Sequence, residues 1–208
     1  MRMNLISNNC VGPSLYALYG EKFDHPFVWG AFDLYDFIYL ANNYEKIEYT
    51  NTEYDLETRL YQTRKSVICN IDNKVKYHFS HYMYDPTMKE PGRCDTYKHT
   101  LLYNNIIALT REKYMYRKER MQKDPTFLYC YNLICPTSKE YLIILDRLLE
   151  IKRRLIIVMH EGIDIGDRNI PDNVTILRLP KEDMVLCANV VAEALDKKYG
   201  ELFQNLRK

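Results

Sequence analysis

Apolar positions follow two rhythms along this chain, one near 3.6 residues and one of short unbroken runs. Met3–Ser7 is a short apolar run that predicts a strand, and Asn8, Asn9 and Cys10 follow it as a loop. Gly12-Pro13-Ser14 supplies a helix start, with Pro13 in the first turn and Leu15, Leu18 and Tyr19 on one face. Asp33–Asn42 has helical spacing through Leu34, Phe37, Ile38 and Ala41. Tyr44–Arg64 is polar with scattered tyrosines, and part of it is expected to be helical. Ser66–Ile71 and Lys74–Ser80 flank Asp72-Asn73, the pattern of two strands joined by a hairpin turn. Tyr84–Thr100 contains Pro86 and the Pro91-Gly92 pair and predicts an exposed loop. Asn104–Lys123 predicts a long helix closed by Asp124-Pro125.

The second half is more regular. Thr126–Tyr131 predicts a strand and Ser138–Lys152 an amphipathic helix with Ser138 as its N-cap. Arg154–His160 (RLIIVMH) is a continuous apolar run flanked by charge, which suits a parallel strand buried on both faces. Val174–Leu179 predicts another strand and Lys181–Leu206 a terminal helix. This order predicts a single α/β domain over residues 1–208. Its architecture is three-layer, a mainly parallel sheet flanked by helices. It is Rossmann-like without a dinucleotide fingerprint, because neither GxGxxG nor GxxxxGK[ST] occurs.

Composition narrows the function classes. Lys+Arg 29 against Asp+Glu 28 leaves +1, so no global field draws the chain to nucleic acid, and no basic stripe marks a nucleic-acid binder. With 47% hydrophobic and 27% charged residues, the chain reads as a packed globular protein rather than a disordered one. The polar N-terminus lacks a secretory apolar segment. The longest apolar runs, Tyr141–Leu145 and Leu155–Met159, are far too short to span a bilayer. Six scattered cysteines form no disulfide framework and no zinc spacing, so a cytoplasmic location with reduced thiols is expected. Tyrosine is over-used, at 19 against seven phenylalanines and one tryptophan. That skew fits either biased composition or a glycan-stacking surface built on Tyr16, Tyr35, Tyr39 and Tyr44.

Candidate chemistry lies where strands end, since ligands of parallel sheets gather there. The first strand delivers Ser7, Asn8, Asn9 and Cys10 to that edge. Backbone N–H groups at a helix start favour a thiolate, and two carboxamides can orient a substrate or donate to a developing oxyanion. Equally, the asparagines can serve only the loop backbone, with Cys10 as filler. His81, followed by Tyr82, ends the predicted second hairpin strand beside the Pro-rich loop, a place for a titrating imidazole. His25 and His160 are further imidazoles with simpler structural readings. In Arg111–Arg120, Lys113, Arg117 and Arg120 share one helical face and can clamp phosphates; interleaved Glu112 and Glu119 also fit a solvated face. Paired carboxylates with metal-site spacing are lacking, so no metal site is expected.

Four pieces together resemble a bacterial family labelled exopolysaccharide-biosynthesis proteins, found with capsule and surface-glycan genes. They are Ile6-Ser7-Asn8-Asn9-Cys10 with Gly12, then Pro26-Phe27, then the strand ending His81-Tyr82, and the basic pattern Tyr116-Arg117-Lys118-x-Arg120. The resemblance covers about the first two thirds of the chain and implies sugar handling. The implied activity is a transferase of surface glycan, most simply a metal-independent glycosyltransferase. A nucleotide sugar would be its donor and a glycan or lipid-linked molecule its acceptor, with no added cofactor. His81 would be the general base, Asn8, Asn9 and Tyr82 would hold substrate, and Arg117 with Arg120 would neutralise the leaving diphosphate. A weaker similarity to a papain-like cysteine peptidase family implies instead a hydrolase or acyltransferase with Cys10 as nucleophile and His81 as base. A non-catalytic glycan-binding module is the third alternative.

Overall fold

The computed structural model describes residues 4–9, 11–20, 27, 30–59, 62–71, 75–79, 108, 112, 114–120, 123–131, 138–180 and 188–200. In chain order the elements are β1 (Leu5–Ser7), α1 (Val11–Leu18), β2 (Gly30–Ala31), α2 (Leu34–Asn43) with a 3₁₀ turn at Tyr44–Lys46, β3 (Tyr49–Arg59), β4 (Gln62–Ile71), β5 (Val75–Phe79), β6 (Thr126–Cys130), α3 (Ser138–Leu148), β7 (Leu155–His160), β8 (Val174–Leu179) and α4 (Ala188–Tyr199). The fold is α/β. Strands β1-β6-β7-β8 lie side by side in that order and every pairing is parallel. The register sets Ser7 beside Leu128, Cys130 beside Val158 and His160 beside Leu179.

Helices lie against this sheet in two pairs, and the side-chain pattern of β6 shows why. Phe127 and Tyr129 point to one face, Leu128 and Cys130 to the other, and all four are buried. Only a sheet covered on both sides buries consecutive residues, which is the physical content of the unbroken runs in β6 and β7. Helix α2 covers the Phe127 face: the Phe37 ring lies 5.7 Å from Phe127 and 5.4 Å from Tyr129, and Tyr44 meets Phe127 edge-on at 6.0 Å. Asp33 caps this helix, accepting from the Asp36 amide at 2.8 Å. On α3, Tyr141 stacks against Tyr131 at 4.7 Å. The second pair is joined by Tyr19 of α1, whose hydroxyl donates to the Ala192 carbonyl (3.2 Å) and the Asp196 carboxylate (3.0 Å) of α4. Tyr16 of α1 accepts the Leu5 amide at 2.8 Å, and Tyr199 of α4 donates to Thr175 of β8 at 2.9 Å.

Among the tyrosines whose burial is described, most lie in the core. Tyr16, Tyr19, Tyr44, Tyr114, Tyr129, Tyr131 and Tyr141 are buried, whereas Tyr35 is 72% exposed and Tyr39 is half-buried. Two of the four rings expected in a glycan-stacking platform are thus core residues.

Between β1 and β6 the chain builds a second, wholly antiparallel sheet, ordered β2-β5-β4-β3. Its β4/β5 pair is the expected hairpin, with Ile71 beside Val75. Within Tyr44–Arg64, where part was expected to be helical, the helical part among the described residues is the 3₁₀ turn Tyr44–Lys46, while Tyr49–Arg59 is strand. The reason is a period of two: Thr50, Thr52, Tyr54, Leu56 and Thr58 alternate with Asn51, Glu53, Asp55, Glu57 and Arg59. The sheets meet where the Phe32 amide, just after β2, donates to the Asn8 carbonyl at 3.0 Å. Of the long helix expected over Asn104–Lys123, the described residues 108, 112 and 114–118 are helical, and a turn at 119–120 precedes Asp124, whose φ of 52° breaks the path before Pro125. The predicted loop Tyr84–Thr100 lies outside the described residues.

Candidate functional site

Strand β1 ends at the C-terminal edge of the parallel sheet, and its continuation is a closely tied polar turn. Asn8 is buried and extends the β1/β6 pairing by one step: its amide donates to Leu128 at 3.1 Å. Its carboxamide then imitates a further strand residue. Nδ2 donates to the Cys130 carbonyl at 3.1 Å and Oδ1 accepts the Cys130 amide at 2.9 Å. Asn9, also buried, reaches the same carbonyl with Nδ2 at 3.5 Å, while its Oδ1 accepts the Val11 amide at 3.1 Å. The Ser7 hydroxyl donates to the Asn9 carbonyl and accepts the Gly12 amide at 3.1 Å.

These bonds explain the residue types. An N–H at the first turn of a helix has no intrahelical partner. Val11 and Gly12 find theirs in Asn9 and Ser7, and Pro13 has no N–H to satisfy. Gly12 is required by contact: a Cβ there would stand 2.2 Å from Ser7 Oγ and 2.8 Å from Ser7 Cβ. The start of α1 is thus closed onto the end of β1. Most of the carboxamide hydrogen bonding of Asn8 and Asn9 shapes the turn.

Cys130 sits beneath that turn as a free, fully buried cysteine, and burial pushes its thiol up, which keeps it protonated and unreactive. Next to it burial, aided by Cys130 and Asp33, raises the Tyr129 phenol to about 12. Burial likewise pushes the Tyr131 phenol up, with Tyr129, Tyr141 and Asp146 adding to the effect. Tyr131 donates its hydroxyl to the Tyr141 carbonyl at 3.2 Å. The floor of this edge is neutral and hydrogen-bonded.

The structure brings Asn8 and Asn9 together on Cys130. Cys10, His81 and Tyr82, and with them His25, lie outside the described residues. Arg117 is half-buried and Arg120 exposed; Arg120 donates to the Tyr116 hydroxyl and lies over that ring at 5.3 Å. Arg120 is thereby held on the solvated side, against a tyrosine that is itself exposed. The same helical turn reaches toward the site through buried Tyr114, whose ring is 5.9 Å from Phe27, itself 5.7 Å from Phe32 beside Asn8. Among the described residues no cluster of His, Cys, Asp and Glu could hold a metal ion. No described helix is long and apolar enough to cross a membrane. Two contributions are not evident from residue types alone: the bond of the Ser7 hydroxyl to the helix start, at an edge where Ser7 itself was expected, and the Cys130 backbone. A serine five residues before a glycine at a helix start is the signal for the first; the second has none. No protein-family model matches the chain, and no curated protein matches it either.

Proposed function

We propose that this chain is a transferase of surface-glycan assembly, a metal-independent glycosyltransferase that takes a nucleotide sugar at the C-terminal edge of the parallel sheet. The observation that carries the reading is the Ser7–Gly12 turn, a rigid polar element at the edge where such sheets take ligands. The resemblance of Ile6-Ser7-Asn8-Asn9-Cys10 to exopolysaccharide-biosynthesis proteins supports the pathway. Asn8 and Asn9 hold the turn that shapes the sugar subsite, and Tyr82 lines it. The acceptor hydroxyl attacks the anomeric carbon, the bond from that carbon to the diphosphate oxygen breaks, and His81 takes the hydroxyl proton. Arg117 and Arg120 neutralise the departing diphosphate, the charge that other transferases leave to a divalent cation. Arg120 must then leave its ring contact with Tyr116, a surface interaction of modest strength.

Thermal shift against a panel of nucleotide sugars, with Mn²⁺ and separately with EDTA, tests this. A ligand at about 100 times its Kd adds about 2.7 kcal/mol to stability, which in a chain of this size raises Tm by several degrees. Stabilisation by at least one nucleotide sugar in both buffers is expected. Silence across the panel contradicts the function, and a shift seen only with Mn²⁺ contradicts metal independence.

A further inference from the structure

At the C-terminal end of β7 stands an imidazole for which the mechanism above has no role. His160 is half-buried, and its Nδ1 accepts the Gly162 amide at 2.6 Å. A nitrogen that accepts carries no proton, so the neutral ring keeps its hydrogen on Nε2. No described residue bonds that Nε2. The ring is held by the shape of the turn as well as by the bond. A Cβ on residue 162 would stand 2.6 Å from His160 Cε1 and 3.0 Å from Nδ1, so only glycine leaves the imidazole where it is. The turn itself is fixed four times over. The Glu161 amide donates to Leu179 at 2.9 Å and the Ile163 amide to His160 at 3.2 Å. The Arg178 guanidinium donates to the carbonyls of Glu161 (3.1 Å) and Ile163 (2.7 Å).

Register gives the ring its side of the sheet. Ser7 pairs with Leu128 and Leu128 with Ile156; Cys130 pairs with Val158, two residues before His160. Paired residues point the same way and so do residues two apart, so His160 shares the face of Ser7, over which α1 begins. Two strand spacings, about 10 Å, separate β1 from β7 across the sheet, and His160 lies four residues, about 13 Å, beyond Ile156, which is level with Ser7, so a whole nucleotide rather than one phosphate would span the two. A ligand phosphate there cannot use the Val11 or Gly12 amides or the Ser7 hydroxyl hydrogen, all of which are already bonded within the turn. It needs a donor from another strand end at the same edge, and a phosphate oxygen, which only accepts, suits an Nε2–H that only donates.

We propose that His160, its ring held in place by Gly162, donates its Nε2–H to a phosphate oxygen of the bound nucleotide. The inference rests on the nucleotide-sugar reading above and assigns that site a ligand-binding residue.

Calorimetric titration of the wild-type chain with UDP, GDP, CDP, ADP and pyrophosphate, repeated on His160→Ala, His160→Gln and Gly162→Ala, tests it. His160→Ala should weaken the nucleotide that binds by about ten- to a hundredfold. His160→Gln, whose amide nitrogen reaches the position of Nε2, should keep most of the affinity. Gly162→Ala, which retains the imidazole but displaces it, should lose affinity as His160→Ala does. In ¹⁵N spectra of histidine-labelled chain, His160 should be protonated at Nε2 and that nitrogen should shift on nucleotide addition. A Kd unchanged in His160→Ala, or a proton found on Nδ1, overturns this inference alone. Failure of the wild type to bind any of these compounds overturns the proposed function and this inference together.

Discussion

Gly12→Ala should destabilise the chain even though alanine is the better helix former. In isolation the exchange inside a helix gains about 1 kcal/mol. Here the new methyl would stand 2.2 Å from Ser7 Oγ and 2.8 Å from Ser7 Cβ, so either α1 lifts away or Ser7 turns out. Overpacking of this kind costs about 1–3 kcal/mol. Turning Ser7 out also loses its bonds to the Asn9 carbonyl and the Gly12 amide, about 1 kcal/mol each. After the propensity gain, a net loss of about 2–4 kcal/mol is expected, or roughly 4–16 °C in Tm for a chain of this size. Urea unfolding of wild type, Gly12→Ala, Ser7→Gly and the double variant separates contact from propensity. Once Ser7 is reduced to glycine the methyl has room, so Gly12→Ala should become neutral or stabilising, a coupling of about 3 kcal/mol against the usual additivity of about 0.5 kcal/mol. Additive single effects, or a Gly12→Ala variant more stable than wild type, would refute the close approach of α1 to β1.

Asn8→Ala should cost about 2–3 kcal/mol, because it strands the buried Cys130 amide and leaves the Cys130 carbonyl with the longer Asn9 bond, and a urea midpoint reads it directly. Tyr129 keeps its proton in the folded chain to about pH 12, whereas an unfolded tyrosine loses it near pH 10. Stability from this group is therefore complete below about pH 10 and declines as pH rises from there through the folded value. Phenolate absorbance should show the buried phenols ionising only with alkaline unfolding; their ionisation in the still-folded chain would be the wrong result. The bond from Arg168 holds the Asp146 carboxyl below the usual range, so its contribution is present above about pH 4 and vanishes as pH falls through the lower folded value. Asp146→Asn should flatten that acid limb slightly and leave neutral stability almost unchanged, as expected for an exposed pair.

Much of the parallel half was legible because its signals are local. RLIIVMH reads as a doubly buried strand from its unbroken apolar run, and Val174–Leu179 has the bounds observed. Helix α2 was expected over Asp33–Asn42, and Asp33 proves to be its cap rather than its first turn. The antiparallel sheet was half legible. The β4/β5 hairpin shows itself through aliphatic residues, whereas the alternation of β3 is written in threonine, tyrosine and leucine, which a scale of greasiness does not register. At the site, strand–Asn-Asn–helix placed Asn8 and Asn9 at the correct edge. Their partner could not be read, because the Cys130 backbone lies more than a hundred positions away and a backbone group leaves no mark in the sequence. His160 shows the same limit: its bond is to an amide, and only the following Gly162 hints at it.

Backbone amide chemical-shift mapping with the nucleotide sugar that stabilises the chain tests the central claim most directly. The account predicts shifts confined to the C-terminal edge of the parallel sheet, at Asn8, Asn9, Tyr131, His160 and Gly162. The residues that precede the same strands at the opposite edge, Asn4, Arg154 and Asn173, should stay still. Shifts centred on Asn4, Arg154 and Asn173, with Asn8, Asn9 and His160 unmoved, would contradict it.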